Sequence, residues 1–258
     1  MKVMTFNVRF DNEKDPFLWD DRIRALHEIV KKYEPDVIGF QEVKEHMYAD
    51  LQEKLGTDYE TYGVLRSTDD GAEMAAIFVR KEELFLSDAY TFWLSDTPKE
   101  PYSVGWDAAL PRIASVATVM DKHSKDALFV FINTHFDHVG VEARGKSAKL
   151  ILKKMETIQK DGLPVILTGD FNMFPTDLAY ETLAKNNWLS DSYAYLSEEE
   201  QTHALTFHDF QGGTEGAPID YIMVSEPFEI TRVQTIRDQI NGVYPSDHYP
   251  VMVNIKMT

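Results

Sequence analysis

Cysteine is absent from this 258-residue chain. Its absence excludes disulfides, Cys-ligated zinc, iron–sulfur clusters and thiol nucleophiles, and leaves His, Asp and Glu as candidate metal ligands. Positive charge is also scarce: 26 Lys and Arg face 43 Asp and Glu, for a formal net charge of −17. Affinity for nucleic acid comes largely from Lys and Arg neutralising phosphates, so an extended duplex DNA surface is disfavoured, whereas a local basic pocket is not. Acidic surfaces also simply keep a protein soluble. No apolar run approaches the length of a membrane span. The N-terminal "MKVMTFNVRF" lacks a signal-peptide core and enters a strand-like pattern at once, so a cytoplasmic protein is expected. Repeats, low-complexity linkers and breaks in composition are missing too, which predicts a single domain over residues 1–258. The Gly-rich "FQGGTEGAP" has no following Lys-Ser/Thr and is not read as a P-loop.

What is present suits a folded enzyme-sized core: 43% hydrophobic and 12% aromatic residues. Residues 3–6 read as a short strand ending at Asn7. In "DDRIRALHEIVKKY", Ile23, Leu26, Val30 and Tyr33 recur at helical spacing, with Asp20 and Asp21 as capping candidates and Pro35 as the stop. "DVIGFQEV" reads as a buried strand that delivers Gln41 and Glu42 at its end, and "EHMYADLQEKL" as a second helix. Strands are expected near 61–65, 74–79, 114–120 and 128–133. Residues 92–112, with three prolines and two tryptophans, read as a long loop, and only residues 92–94 hint at a membrane-interfacial segment. A long Lys-rich helix over 142–160 follows, then a strand at 164–168 that Gly169 interrupts. A helix at 177–185 and strands at 219–224 and 249–255 complete the pattern. Helices interleaved with strands predict an α/β sandwich with mixed sheets.

Polar residues collect where these strands end. "MTFN" ends at Asn7, "IGFQE" at Glu42, "FINTHFDH" carries His135, and "LTGDFN" ends on Asp170 and Asn172. "PIDYI" opens with Asp220, and "YPSDHYPV" places Asp247 and His248 just before the last strand. Each has an ordinary reading alone. A strand-end Asn is turn chemistry, Asp170 with Asn172 makes an Asx-turn, Glu42 is a solvated carboxylate, and His135 is a satisfied core histidine. Together they form a set suited to phosphate-ester hydrolysis. Carboxylates suit Mg²⁺ or Mn²⁺, amides and imidazoles donate to a phosphoryl group gaining charge, and an Asp beside water orients or deprotonates it.

In order along the chain, "TFNVR", "QEV", "NTHFDH", "GDFN", "IDYI" and "SDHYPV" resemble the motifs of the endonuclease/exonuclease/phosphatase superfamily. The resemblance spans nearly the whole chain and implies a deoxyribonuclease-I-like fold. That fold is a four-layer α/β sandwich of two packed mixed β-sheets flanked by helices, with the site at one rim. It implies Glu42 as principal Mg²⁺ ligand, with Asn7 and Asp247 near the metal, and Asp170 as the residue that activates water. It further implies Asn172 as a phosphate-holding amide, His248 as a phosphate contact oriented by Asp220, and His135 as a second catalytic histidine. Arg9 stands where the abasic-site endonuclease branch has an acidic residue, which weakens a DNA-repair assignment. "NVRFDN", the Trp19-x-x-Arg22 spacing, "GWDA…PR" and "THFDHVGVEAR" resemble a bacterial branch more closely.

Arg9, Arg112 and Arg144 are candidates for a local cationic pocket, since guanidinium forks suit phosphate. His138 and Trp106 are further candidate substrate contacts. Arg144 could equally begin a solvated helix, Arg112 anchor a loop, and Trp106 pack as core. The leading expectation is a Mg²⁺- or Mn²⁺-dependent phosphodiesterase or phosphomonoesterase acting on a small soluble phosphate ester. A metal-dependent nuclease acting on DNA or RNA ends and a noncatalytic binding module with the same fold are the alternatives.

Overall fold

The structure, a computed structural model, describes residues 1–257. The first sheet takes strands from both ends of the chain: β1 (Lys2–Asn7), β2 (Val37–Val43), β3 (Tyr59–Tyr62), β4 (Met74–Arg80), β11 (Phe228–Thr235) and β12 (Val251–Met257). The second is built from the middle: β5 (Leu84–Trp93), β6 (Ile113–Asp121), β7 (Ala127–His135), β8 (Val165–Asp170), β9 (Leu189–Asp191) and β10 (Asp220–Ser225). The orders are β11-β12-β1-β2-β4-β3 and β5-β6-β7-β8-β10-β9. Among the described residues the only parallel pair of each sheet lies near its centre, β1 with β2 and β7 with β8. Helices α1 (Trp19–Tyr33), α2 (Glu45–Leu55), α3 (Val141–Lys160), α4 (Leu178–Ala184) and the short α5 (Glu198–Gln201) complete the chain.

Side-chain alternation assigns the layers. From β1, Val3 joins Val37, Ile77 and Val79 in a core shared with Ala117, Phe131 and Ile166 of the second sheet. Met4 and Phe6 point the other way, into a cluster with Ile23, Leu26 and Ile29 of α1 and Met47 and Leu51 of α2. Ala148, Ile151 and Met155 of α3 cover the far side of the second sheet. The architecture is therefore the predicted sandwich of mixed sheets flanked by helices.

A polar rivet crosses between the sheets. Asn133 donates to the carbonyls of Phe40 and Ala76, 2.8 and 2.9 Å away, and accepts from Gln41 at 2.6 Å and Thr168 at 3.1 Å. A Cβ on Gly39 would lie 2.5 Å from Asn133 Oδ1 and 2.4 Å from Thr168 Oγ1, so glycine opens the gap through which Asn133 reaches.

Several local expectations change. Trp19–Tyr33 is capped from Leu18, and Asp20 and Asp21 sit in its first turn, where their charge favours the helix dipole. The strand expected at 61–65 is Tyr59–Tyr62; Leu65 makes only an isolated bridge to Met74. The long loop begins later than expected, because β5 runs through Trp93. A register shift between Ser87 and Tyr90, with Asp88 at φ 49°, breaks the alternation that would have marked this strand. Phe92, Trp93 and Leu94 are buried, which removes the interfacial segment they suggested. Gly169 does not interrupt β8. It lies within the strand, and a Cβ there would meet the Thr134 carbonyl at 2.3 Å, so its role is close approach to β7. Among the described residues no helix is long and apolar enough to cross a membrane.

Candidate active site

β1 and β2 run parallel, with Asn7 opposite Gln41, so their ends arrive together. The β2–β4 ladder then shifts register between Phe40 and Val43, and Glu42 lies in this bulge at φ 61°. A glutamate in the left-handed region is uncommon and costs backbone energy. The bulge turns its carboxylate toward Asn7, whose Nδ2 donates to Glu42 Oε1 at 2.9 Å, while the Phe10 amide donates to Oε2 at 2.9 Å. The loop carrying Phe10 is fastened by fully buried Arg22, which donates to the carbonyls of Val8, Arg9, Phe10 and Phe17. The Trp19-x-x-Arg22 spacing thus serves a structural anchor behind the site.

The second sheet supplies the facing groups. β7 and β8 are parallel with His135 opposite Asp170, and β10 runs antiparallel to β8 with Asp220 also opposite Asp170. Asp170 Oδ2 accepts from Asn7 Nδ2 at 2.9 Å, so one carboxamide bridges Glu42 and Asp170 across the two sheets. Asn7 Oδ1 is taken by the Arg9 amide. Asn172, at φ 47°, forms the expected Asx-turn, its amide donating to Asp170 Oδ1 at 2.9 Å. Its side chain donates to the Phe136 carbonyl at 3.1 Å and lies 3.0 Å from His135 Nε2. Phe171 between them points inward, stacked on Phe136 and Tyr221 at centroid distances of 5.0 and 5.2 Å. His248 Nδ1 is 2.8 Å from Asp220 Oδ2, and its Nε2 is 3.8 Å from Asp170 Oδ2.

These contacts split the two histidines. Burial opposes charge on His248, but Asp220, Asp170 and Asp247 outweigh it and hold its pKa well above the usual value. Burial and the nearby Arg112 and Arg66 guanidiniums push His135 well below it. Burial, reinforced by the charge of Asp220, raises Asp170. Burial also raises Asp247, whose Oδ2 lies 3.6 Å from Arg9 Nε. Ligand atoms of Glu42, Asp170 and His248 lie within 4.8 Å of one another. Two carboxylates crowded at a buried rim, one already resisting ionisation, form a hard-oxygen donor set that a divalent cation would stabilise. Those residues therefore fit a Mg²⁺- or Mn²⁺-type ion.

The rim opens into a cleft of about 330 Å³ lined by Arg9, Glu42, Arg112, His135, His138, Asp170, Asn172, Asp247 and His248. Asn7 and Asp220 stand behind this lining and orient groups in it. Arg9 is not a free guanidinium fork: Asp15 holds its Nε and Nη2 at 2.9 and 3.1 Å. Trp106 and Arg144 are not among the lining residues. Trp106 donates to Asp96 at 2.9 Å with Lys146 over its ring, and Arg144 donates to the Asp137 carbonyl at 3.0 Å. Trp106 thus serves the packing of the long loop against α3, and Arg144 ties α3 to the segment after β7.

Sequence reasoning missed four residues here. Phe207 lines the cleft beside His248, their rings 5.1 Å apart. Arg66 and Glu73 form a buried 2.7 Å ion pair in its wall, on a segment with no motif to flag it. Asp137 lies within the quoted "NTHFDH", and its place two residues after the strand-end His135 was the available signal.

Comparison with known proteins places the fold in a family. A model of the endonuclease/exonuclease/phosphatase family matches residues 4–248. The Bacteroides thetaiotaomicron mannosyl-6-phosphatase is 33% identical, with all of each chain covered and a TM-score of 0.87. An uncharacterized protein of Acanthamoeba polyphaga mimivirus is 28% identical over 98% of this chain and 99% of its own length. The catalytic domain of human nocturnin shares the fold, with a TM-score of 0.78 at 21% identity, covering all of this chain and 94% of that one.

Proposed function

The chain belongs to the endonuclease/exonuclease/phosphatase family and is a hydrolase of phosphoric esters; from that premise we propose that it is a divalent-metal-dependent phosphoesterase of small, soluble substrates, with a sugar phosphate as its substrate class. The observation that carries the reading is Asn7 bridging Glu42 and Asp170, with His248 beside them at the head of the same cleft. The full-length similarity to a mannosyl-6-phosphatase supports a phosphomonoester of a hexose.

Glu42, with Asn7 and Asp247 near it, would hold Mg²⁺ or Mn²⁺, which when bound neutralises charge developing on the phosphoryl and leaving-group oxygens. Asp170, whose proton affinity is raised, takes the proton of the attacking water. His248, kept protonated by Asp220, donates to a nonbridging phosphoryl oxygen. Asn172 holds both Asp170 and His135 in place through its amide and side chain. Neutral His135 adds a contact to the phosphoryl group without adding charge.

The test is a panel assay with Mg²⁺, Mn²⁺ or EDTA, on sugar phosphates, nucleotides, generic mono- and diesters, phospholipid headgroups and nucleic acids. Metal-dependent turnover of mannose 6-phosphate or a related monoester is expected. Cleavage confined to long duplex DNA, or turnover that persists in EDTA, would overturn the reading.

A further inference from the structure

A second chain of hydrogen bonds reaches the cleft without touching the groups just described. Asp137 is buried immediately beyond β7 and accepts from the amides of Val139 and Gly140, at 3.0 and 2.7 Å, and from Arg112 Nε at 3.2 Å. Burial opposes charge on Asp137, but the amides of Gly140, Ala109 and Val139 and the Arg112 guanidinium outweigh it and hold the carboxyl down to about 2. Arg112 is thereby fixed, 3% exposed, with Nη2 2.9 Å from His138 Nδ1. A guanidinium only donates, so His138 Nδ1 accepts and the ring hydrogen is left on Nε2. His138 itself is exposed and lines the cleft. Its Nδ1 edge lies against buried Arg112, which leaves the Nε2–H edge for a ligand.

From this wiring we infer that His138 is a specificity residue whose Nε2–H donates to a hydroxyl of the leaving group, with Asp137 and Arg112 as its positioning residues. The inference rests on the phosphoesterase reading above. Asp170 and His248 fix the phosphoryl position in the buried floor, so the alcohol half of a monoester extends toward the mouth, where His138 stands. A donor held in one tautomer rewards a hydroxylated alcohol and is left unpaired by an alcohol without hydroxyls. The cleft therefore selects phosphate esters of polyhydroxylated alcohols over simple aryl esters.

The experiment compares mannose 6-phosphate with p-nitrophenyl phosphate. His138→Ala should lower the ratio of their kcat/KM values about tenfold, mainly through a higher KM for the sugar phosphate, as expected for one lost hydrogen bond. His138→Gln, which places an amide N–H near the position of Nε2, should recover part of the ratio. Arg112→Met should release Nδ1, and nitrogen NMR shifts of His138 should then lose the signature of a single Nε2–H tautomer. Equal losses on both substrates, or an unchanged ratio, overturn the inference. If the wild type hydrolyses neither these compounds nor any other ester of the panel, the phosphoesterase reading fails. NMR titration then decides the inference on its own terms: a His138 shift caused by mannose 6-phosphate but not by inorganic phosphate supports it, and a shift with both or neither overturns it.

Discussion

Glu42 occupies a backbone conformation, φ 61°, that a glutamate adopts only when its surroundings impose it. The bulge in β2 and the bonds from Asn7 and Phe10 supply that constraint, so stability has been exchanged for the placement of one carboxylate. Glu42→Asn should relieve the strain, since Asn tolerates the left-handed region, and should also reduce the crowding of negative charge near Asp170. In thermal denaturation without divalent cations the variant should be more stable by about 1 kcal/mol, while its turnover should fall at least about 100-fold. A variant that loses both stability and activity would show that Glu42 is a structural residue. Asp220 makes a complementary case: its Oδ2 lies 2.8 Å from His248 Nδ1, and its charge also raises Asp170. Asp220→Asn keeps the shape and removes the charge that favours the imidazolium. It should lower kcat about 10²- to 10⁴-fold with little change in KM, measured on a monoester at saturating metal.

At the level of elements, the site depends on what fastens loops to strands. Arg22 of α1 satisfies four carbonyls of the segment between β1 and α1. Arg22→Met leaves these groups short of donors and should cost about 2–4 kcal/mol, seen in denaturant or thermal unfolding. The same change should depress turnover, because the Phe10 amide that holds Glu42 rides on that loop. The turn after β9 shows a different balance. Asp191 accepts from Tyr180 at 2.5 Å and from the Tyr193 amide at 3.1 Å, and burial raises its carboxyl to about 6. A carboxyl that binds its proton more tightly when folded contributes most at low pH, and that contribution is lost as pH climbs from about 4 through about 6. Asp191→Asn should therefore gain on the wild type by roughly 3 kcal/mol between about pH 4 and pH 7, and the difference should level off above that range. A constant difference across the range would show that Asp191 is not protonated preferentially in the folded state. What the sequence made legible follows the same division. Catalytic-type polar residues at the ends of regular apolar strands stood out, because strand periodicity is local. β5 and the Arg66–Glu73 wall did not stand out. A bulge breaks the period of β5, and the ion pair joins residues seven apart on a segment with no motif to flag it.

The whole molecule sets the field in which the cleft works. One sheet comes from the two ends of the chain and the other from its middle, so the facing of Asn7 and Asp170 needed the assembled sandwich, although each lay in a readable motif. Arg112 and Arg144 show the limit of reading charge from sequence. Both looked like phosphate forks, yet one is wired to Asp137 and His138 and the other holds the Asp137 carbonyl. Arg9 is likewise occupied, by Asp15. Those three arginines are thus already engaged, and a net charge of −17 opposes the approach of a long polyanion. The sign of the salt dependence follows. A basic nuclease loses affinity as salt replaces its phosphate contacts, whereas an acidic protein repels a long polyanion less as salt screens it. For a single-stranded oligonucleotide at fixed Mg²⁺, kcat/KM should stay flat or rise between about 20 and about 200 mM salt. For a hexose phosphate, with its small charge held locally in the cleft, the change should be under about threefold. A steep fall with salt for the oligonucleotide would reveal a cationic track and would displace the small-substrate reading in favour of a nuclease acting on nucleic-acid ends.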